Sequence, residues 1–220
     1  PEQVAPLVES NVLFGSLLLE AMAVAGVDRI VNTGTSWQHY ESAPYSPVCL
    51  YAATKQAFEA MLAYYVEARS FRAVTLALFD TYGEDDTRKK LFALLGSLAA
   101  RPADSVDEPL AMSPGEQLID IVHVDDVIEA FLAAAALVDE LPGGSSHRYG
   151  VSSGSPLPLR RLVDLYFEVA GKPAPIRWGG RPYRQREVMV PWTGGEPVPG
   201  WRPRVTLREG IQRVLARTRS

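Results

Sequence analysis

The sequence is short of the residues that build metal sites and disulfide frameworks. Its 220 residues hold one cysteine, Cys49, and three histidines, His39, His123 and His147. A single thiol excludes an internal disulfide and a cysteine-based zinc site, and histidines so widely spaced argue against any metal. A marked excess of one charge is lacking too. The 22 Lys and Arg stand against 26 Asp and Glu, a formal net charge of -4, which gives no broad electrostatic surface for nucleic acid. No apolar run approaches the length needed to cross a bilayer, and Pro1-Glu2-Gln3-Val4 does not start a basic-then-apolar leader. The expectation is therefore a cytoplasmic protein with neither a membrane nor a nucleic-acid partner. What is present is 47% hydrophobic and 22% charged residues, enough to bury one sizeable core, or one core plus a lobe.

Apolar side chains at helical spacing, among them Val12, Leu13, Leu17, Leu18, Leu19 and Met22, predict a helix over 3–26 that stops at Gly26. A short strand follows, Arg29-Ile30-Val31-Asn32, ending in Thr33-Gly34-Thr35. A loop over 36–48 leads to a long helix from Leu50 to Arg69, and Ala73 to Leu78 reads as a strand buried on both faces. Helix and strand in alternation imply crossovers in a mostly parallel sheet. Further along, the pattern predicts helices over 87–100, 125–138, 159–170 and 207–217, and strands over 118–122 and 148–151. The Pro-, Gly-, Trp- and Arg-rich stretch 172–203 reads as an irregular lobe.

Tyr51 and Lys55 lie one helical turn apart on the predicted long helix and so share a face. A phenol is a poor base at neutral pH, with a reference pKa of about 10. A neighbouring ammonium, or the positive ring of an oxidised nicotinamide, stabilises the phenolate and lowers that value. Protonated, the same phenol donates to a carbonyl oxygen while hydride arrives. A hydroxyl from Thr35, at the C-terminal end of the preceding strand, is placed to hold that oxygen, and such strand ends are where open parallel sheets bind ligands. The order of elements around the pair sets it apart from a chance amphipathic edge.

These residues resemble the extended short-chain dehydrogenase/reductases, the NAD-dependent epimerase/dehydratase family. The resemblance implies an α/β fold: a Rossmann-type doubly wound parallel sheet with a small C-terminal substrate-binding lobe. It implies that Thr35, Tyr51 and Lys55 are catalytic and that Asn11, in Glu9-Ser10-Asn11-Val12, helps arrange them. Thr33 and Phe79, with Tyr51 and Lys55, would contact the cofactor, NADP or NAD. Leu78-Phe79-Asp80-Thr81-Tyr82-Gly83 is similar to the stretch that closes over the nicotinamide and opens the substrate lobe, which brings in Asp80. Arg184-Gln185-Arg186-Glu187-Val188 resembles the element whose Arg contacts the substrate diphosphate, a task suited to a guanidinium fork. Arg88 and Lys89 read equally as phosphate contacts at a helix start or as a solvated helix face. In Ile121-Val122-His123-Val124-Asp125-Asp126-Val127, the strand-to-helix signature, His123 reads as a structural strand-end residue and the two aspartates as helix starters.

The implied domains are 1–83 with 117–152 for the C-terminal part of the NAD(P)-binding domain, and 84–116 with 153–220 for the lobe. No Gly-x-x-Gly-x-x-Gly or Gly-x-Gly-x-x-Gly pattern occurs. The resemblance starts near the fourth helix of the usual fold, so the N-terminal strands and their cofactor-binding turn are not expected here. Finer wording is similar to CDP-paratose and CDP-abequose synthases, which implies NAD(P)-dependent reduction of a 4-keto group on a nucleotide-linked deoxyhexose. Ser36 and Trp37 stand where the related dehydratases carry an Asp-Glu pair; without an acid for the departing hydroxyl, dehydration is disfavoured. The alternatives are a nucleotide-sugar epimerase, or a truncated non-catalytic sugar-nucleotide-binding or assembly protein. A homodimer is expected by analogy.

Overall fold

The first predicted helix is not continuous. In the computed structural model, which describes residues 4–88, 90–102 and 108–218, α1 (Val4–Val8) passes through a π-helical segment (Glu9–Leu13) into α2 (Phe14–Ala25). Hydroxyls near the transition bond back to the helix carbonyls, Ser10 to Pro6 O at 2.7 Å and Ser16 to Val12 O at 2.8 Å, which competes with regular helix geometry. Gly26 ends α2 in the left-handed region, at φ 71°. The whole helical run Val4–Ala25, 22 residues, is by length and composition long and apolar enough to cross a bilayer. That corrects the expectation that no such run exists: Glu9, Asn11 and Glu20 interrupt the run without lowering its mean hydropathy enough. One face of the run packs in the protein. Leu19 is fully buried, and the Tyr65 hydroxyl donates to Glu20 at 2.9 Å.

Three strands form the main sheet, β1 (Arg29–Thr35), β2 (Arg72–Leu78) and a later one, Ser145–Val151, in the order first, second, last, all parallel. The central β2 is buried along Ala73–Ala77, as its apolar run predicts. Between β1 and β2, α3 (Leu50–Arg69) has the predicted bounds. With α2 it closes a core of Leu19, Phe58, Leu62, Tyr65, Val66, Phe71 and Ala73.

Past Phe79 the chain builds small pieces of sheet. β3 (Asp80–Tyr82) runs parallel to β6 (Ile121–His123). β4 (Leu110–Ala111) pairs with β9 (Ile176–Arg177), and β5 (Leu118–Ile119) with β8 (Leu157–Pro158). The Ser145–Val151 strand is therefore β7 in chain order. α4 (Leu91–Ala99), α6 (Leu159–Ala170) and α7 (Leu207–Thr218) enclose a second core around Leu95, Leu162, Val163, Tyr166 and Ile211. α5 (Val124–Glu140) starts with Asp125 and Asp126 in its first turn. Asp126 also accepts from the backbone N–H groups of Arg204 and Val205, at 2.9 and 3.0 Å. α4 begins later than the predicted 87, because Arg88 bonds back to Asp86 through both backbone and guanidinium.

Two compact units result: Pro1–Phe79, Val127–Val151 and Trp192–Arg202 in one, Asp80–Asp126, Ser152–Pro191 and Pro203–Ser220 in the other. These bounds differ from the sequence expectation by residue 152, which falls in the second unit, and in two larger respects. Pairing of β3 with β6 draws 80–83 and 117–126 into the second unit. The Trp192–Arg202 segment joins the first: Trp192 stacks on His39 with centroids 4.1 Å apart, and Gly150 N–H donates to Glu196 O at 2.7 Å. A Cβ on Gly150 would lie 3.2 Å from the Gly195 backbone, so this crossing requires a residue without one.

Candidate active site

β1 delivers Thr35 to the C-terminal edge of the parallel sheet, where it is 8% exposed. It is the N-cap of a 3-10 turn (Ser36–Gln38). Its hydroxyl oxygen accepts from Trp37 N–H at 3.3 Å, and its own N–H donates to Gln38 Oε1 at 2.8 Å. The pattern Thr-x-x-Gln is a capping box. With one lone pair of the oxygen taken by Trp37 N–H, the hydroxyl hydrogen stays available to donate to a ligand. Thr33, half-buried, lies two residues back on the same strand.

α3 begins at Leu50, so Tyr51 stands in its first turn, where the positive end of the helix dipole favours a phenolate. One turn on, the Lys55 ammonium lies 6.0 Å from the centre of the Tyr51 ring. Burial lowers the Lys55 pKa from its ordinary value, which makes that ammonium a readier proton partner. Asn11, in the π-helical segment, donates to the Thr54 hydroxyl at 3.0 Å, and Thr54 donates to the Tyr51 carbonyl at 2.9 Å. The structure thus ties Asn11 to the Tyr51 carbonyl through Thr54, which the sequence reading missed. Its signal was a hydroxyl beside Lys55 in Tyr51-Ala-Ala-Thr-Lys55.

A second group also escaped the reading. Gln38 Nε2 donates to Gln56 Oε1 at 2.8 Å and to Glu59 Oε1 at 3.0 Å. Arg148, on β7, pairs with the other Glu59 oxygen and donates to His39 Nε2 at 2.9 Å. A guanidinium only donates, so Nε2 is an acceptor and the proton of neutral His39 sits on Nδ1, facing Ala43 O at 3.1 Å. Burial holds His39 below its usual range; the Ala43 carbonyl opposes that, and the Arg148 charge adds to it. Phe79, 9% exposed, stacks at 6.4 Å from Trp192 on the same unit.

The expected substrate residues belong to the second unit. Burial raises the Asp80 carboxyl above its ordinary range, Lys90 pulls it back, Asp120 raises it and Arg184 pulls it back. Asp80 and Arg184 are thereby grouped with Lys90, which the sequence reading did not name. Arg88 is closed on Asp86 by two guanidinium hydrogen bonds of 2.7 Å, and Lys89 lies outside the described residues. His123 is buried, accepts from Asp125 N–H at Nδ1 (3.2 Å) and faces Glu84 from Nε2 at 3.1 Å. It links β6, α5 and the segment after β3. Among the described residues no group of His, Cys, Asp or Glu is placed to hold a metal.

Residues 2–149 match the model of the NAD dependent epimerase/dehydratase family. The chain is 29% identical to the dTDP-6-deoxy-L-talose 4-dehydrogenase (NAD(P)(+)) of Kitasatospora kifunensis, over 94% of its own length and 68% of that protein's. It is 27% identical to the CDP-abequose synthase of Yersinia pseudotuberculosis, over 84% of its length and 62% of that protein's. Among solved structures, the Thermus thermophilus UDP-glucose 4-epimerase in complex with NAD superposes with a TM-score of 0.77 at 26% identity, covering 96% of this chain and 70% of that one. The chain thus spans roughly two thirds of the length of such relatives. With a hydroxyl-capped strand end, a Tyr-x-x-x-Lys helix and a parallel sheet of Rossmann type, this chain belongs to the NAD dependent epimerase/dehydratase family, the NAD(P)-dependent extended short-chain dehydrogenase/reductases.

Proposed function

We propose that the chain carries the catalytic residues of an NAD(P)-dependent reductase acting on the 4-keto group of a nucleotide-linked deoxyhexose. The observation that supports this most is the Tyr51–Lys55 pair, on one helix face at 6.0 Å and tied to Asn11 through Thr54. This donor set fits the nicotinamide end of the cofactor. Lys55 has three hydrogens for ribose hydroxyls, and Thr33, Tyr51 and Phe79 would complete the contact. When bound, the nicotinamide supplies hydride to the carbonyl carbon. The carbonyl electron pair moves to oxygen, Tyr51 gives that oxygen its proton, and the phenolate left behind is stabilised by the Lys55 ammonium and the start of α3. Thr35 holds the same oxygen with its hydroxyl hydrogen. Arg184 and Lys90 face the diphosphate, with Asp80 beside them; Arg88, engaged by Asp86, is left out of that set.

Similarity to the dTDP-sugar dehydrogenase and to CDP-abequose synthase supports the keto-reduction reading. Similarity to UDP-glucose 4-epimerases supports a second one, because epimerisation uses the same pair. Net oxidation of NAD(P)H separates them. A reductase consumes one equivalent per keto sugar reduced, whereas an epimerase interconverts two alcohols with none consumed. In the full-length protein, Tyr51→Phe lowers kcat by about 10²- to 10⁴-fold while leaving cofactor binding largely intact. Turnover near the wild-type value in that variant would overturn the role of Tyr51. Failure of the full-length wild type to bind NAD(P)H would leave the non-catalytic alternative.

A further inference from the structure

We propose that Gln38, working with Glu59 and Arg148, is a positioning residue that sets Thr35 against the helix bearing Tyr51 and Lys55. The proposal rests on the role given to Thr35 above. Gln38 is 1% exposed, and each polar atom of its amide is engaged. Oε1 accepts from Thr35 N–H, while Nε2 donates to Gln56 and to Glu59. One donor on the oxygen side and two acceptors on the nitrogen side fix the amide orientation. Gln56 and Glu59 lie on α3, the first directly after Lys55 and the second one turn beyond it. A single side chain therefore bridges the peptide of Thr35 to the helix that presents the proton donor.

The far end of the same turn is held to the same carboxylate. His39 follows the turn as its C-cap, takes a hydrogen bond from Arg148, and Arg148 pairs with Glu59. Both ends of the segment after Thr35 thus converge on one carboxylate of α3. The space is filled tightly: a Cβ on Gly34 would lie 2.9 Å from Glu59 Oε1 and 3.0 Å from Gln38 Oε1. Closing a short turn requires only the Thr35–Gln38 bond. Burying a carboxylate, 8% exposed in its side chain, with a guanidinium at 31% adds little net stability once desolvation is counted. What the arrangement does provide is a fixed distance between the Thr35 hydroxyl and the Tyr51–Lys55 face, the quantity on which in-line proton donation depends.

The test uses the full-length protein and four variants: Gln38→Met, Thr35→Ala, their double mutant, and the swap Gln38→Glu/Glu59→Gln. Methionine fills similar volume without polar atoms. The swap conserves net charge, restores an oxygen for Thr35 N–H at residue 38 and an amide at residue 59, and leaves Arg148 an amide oxygen to donate to. Gln38→Met is expected to lower kcat about tenfold to a hundredfold, to leave the cofactor KM within about twofold, and to speed hydrogen exchange at the Thr35 amide. In the Thr35→Ala background the same change lowers kcat no further, because both act on one hydroxyl. The swap returns kcat to within about threefold of wild type, which loss of packing alone would not allow. Additive losses in the double mutant, or unchanged amide exchange in Gln38→Met, overturn the proposal. Full turnover in Thr35→Ala instead overturns the functional reading of Thr35, and the exchange measurement then decides on the tether by itself.

Discussion

His39 is held neutral from several directions at once. Arg148 on β7 donates to one ring nitrogen, the Ala43 and Pro44 carbonyls attract the proton on the other, and the Trp192 ring covers a face. Burial dominates and places its folded pKa below the unfolded 6.5. Between those two values the unfolded chain binds more protons than the native one, so stability rises with pH through that window and falls on acidification below 6.5. Exchanging His39 for glutamine, which can accept from Arg148 and donate to Ala43, removes this contribution. The expected result is a smaller loss of Tm between pH 7.5 and 5 in His39→Gln than in wild type, measured by thermal melts. Superimposable Tm profiles for the two proteins would show that the site carries no such linkage. None of this was legible in the sequence: a His next to Gln38 gives no sign of a guanidinium from β7, because the two meet only when the parallel sheet is assembled.

Elements differ in how much of them the sequence could reveal. α3 and α6 match their predicted bounds, because apolar spacing and a terminator coincide: Ser70 at φ 57° closes one, Gly171 at φ 72° the other. The π-helical turn around Asn11 is not visible in periodicity, since one extra residue per turn barely shifts the apolar stripe. α4 shows the opposite problem. Residues 87–90 have acceptable helix propensity, yet Asp86 captures Arg88 and delays the start to Leu91. Its C-terminus is finished from elsewhere in the chain, by the Lys172 ammonium donating to Ala99 O at 2.6 Å and Arg101 O at 2.8 Å. A charge on the last carbonyls of a helix is well placed against its dipole. Lys172→Met is therefore expected to lower stability by about 1–2 kcal/mol, seen as a reduced midpoint in urea with the slope m unchanged. A midpoint equal to wild type would show that solvent replaces the ammonium at no cost.

At the scale of the molecule, each of the two units has its own buried cluster, one around Leu19, Phe58 and Leu62, the other around Leu95, Leu162 and Tyr166. Leu162→Ala opens a cavity in the second only, at a cost of about 2–5 kcal/mol. Hydrogen exchange should quicken in α4, α6 and α7 more than in β1, β2 and β7; equal acceleration in both sets would contradict separate cores. The sequence revealed the alternation that makes the sheet but not the return of residues 192–202 to it. A Pro- and Gly-rich stretch carries no period, and what places it is the Trp192 ring on His39 and two glycine backbones in contact.

The interleaving of the two units along the chain also governs how a ribosome must deliver them. β2, the central and most apolar strand, emerges long before β7, its second neighbour, because a segment of the other unit lies between. At about 5–20 residues per second, the edge of β2 that will receive β7 waits on the order of several seconds, and the Trp192–Arg202 segment arrives later still. During that interval the nascent chain displays an apolar strand with one edge unpaired. Chaperone engagement of the nascent chain is therefore expected between the emergence of β2 and that of β7.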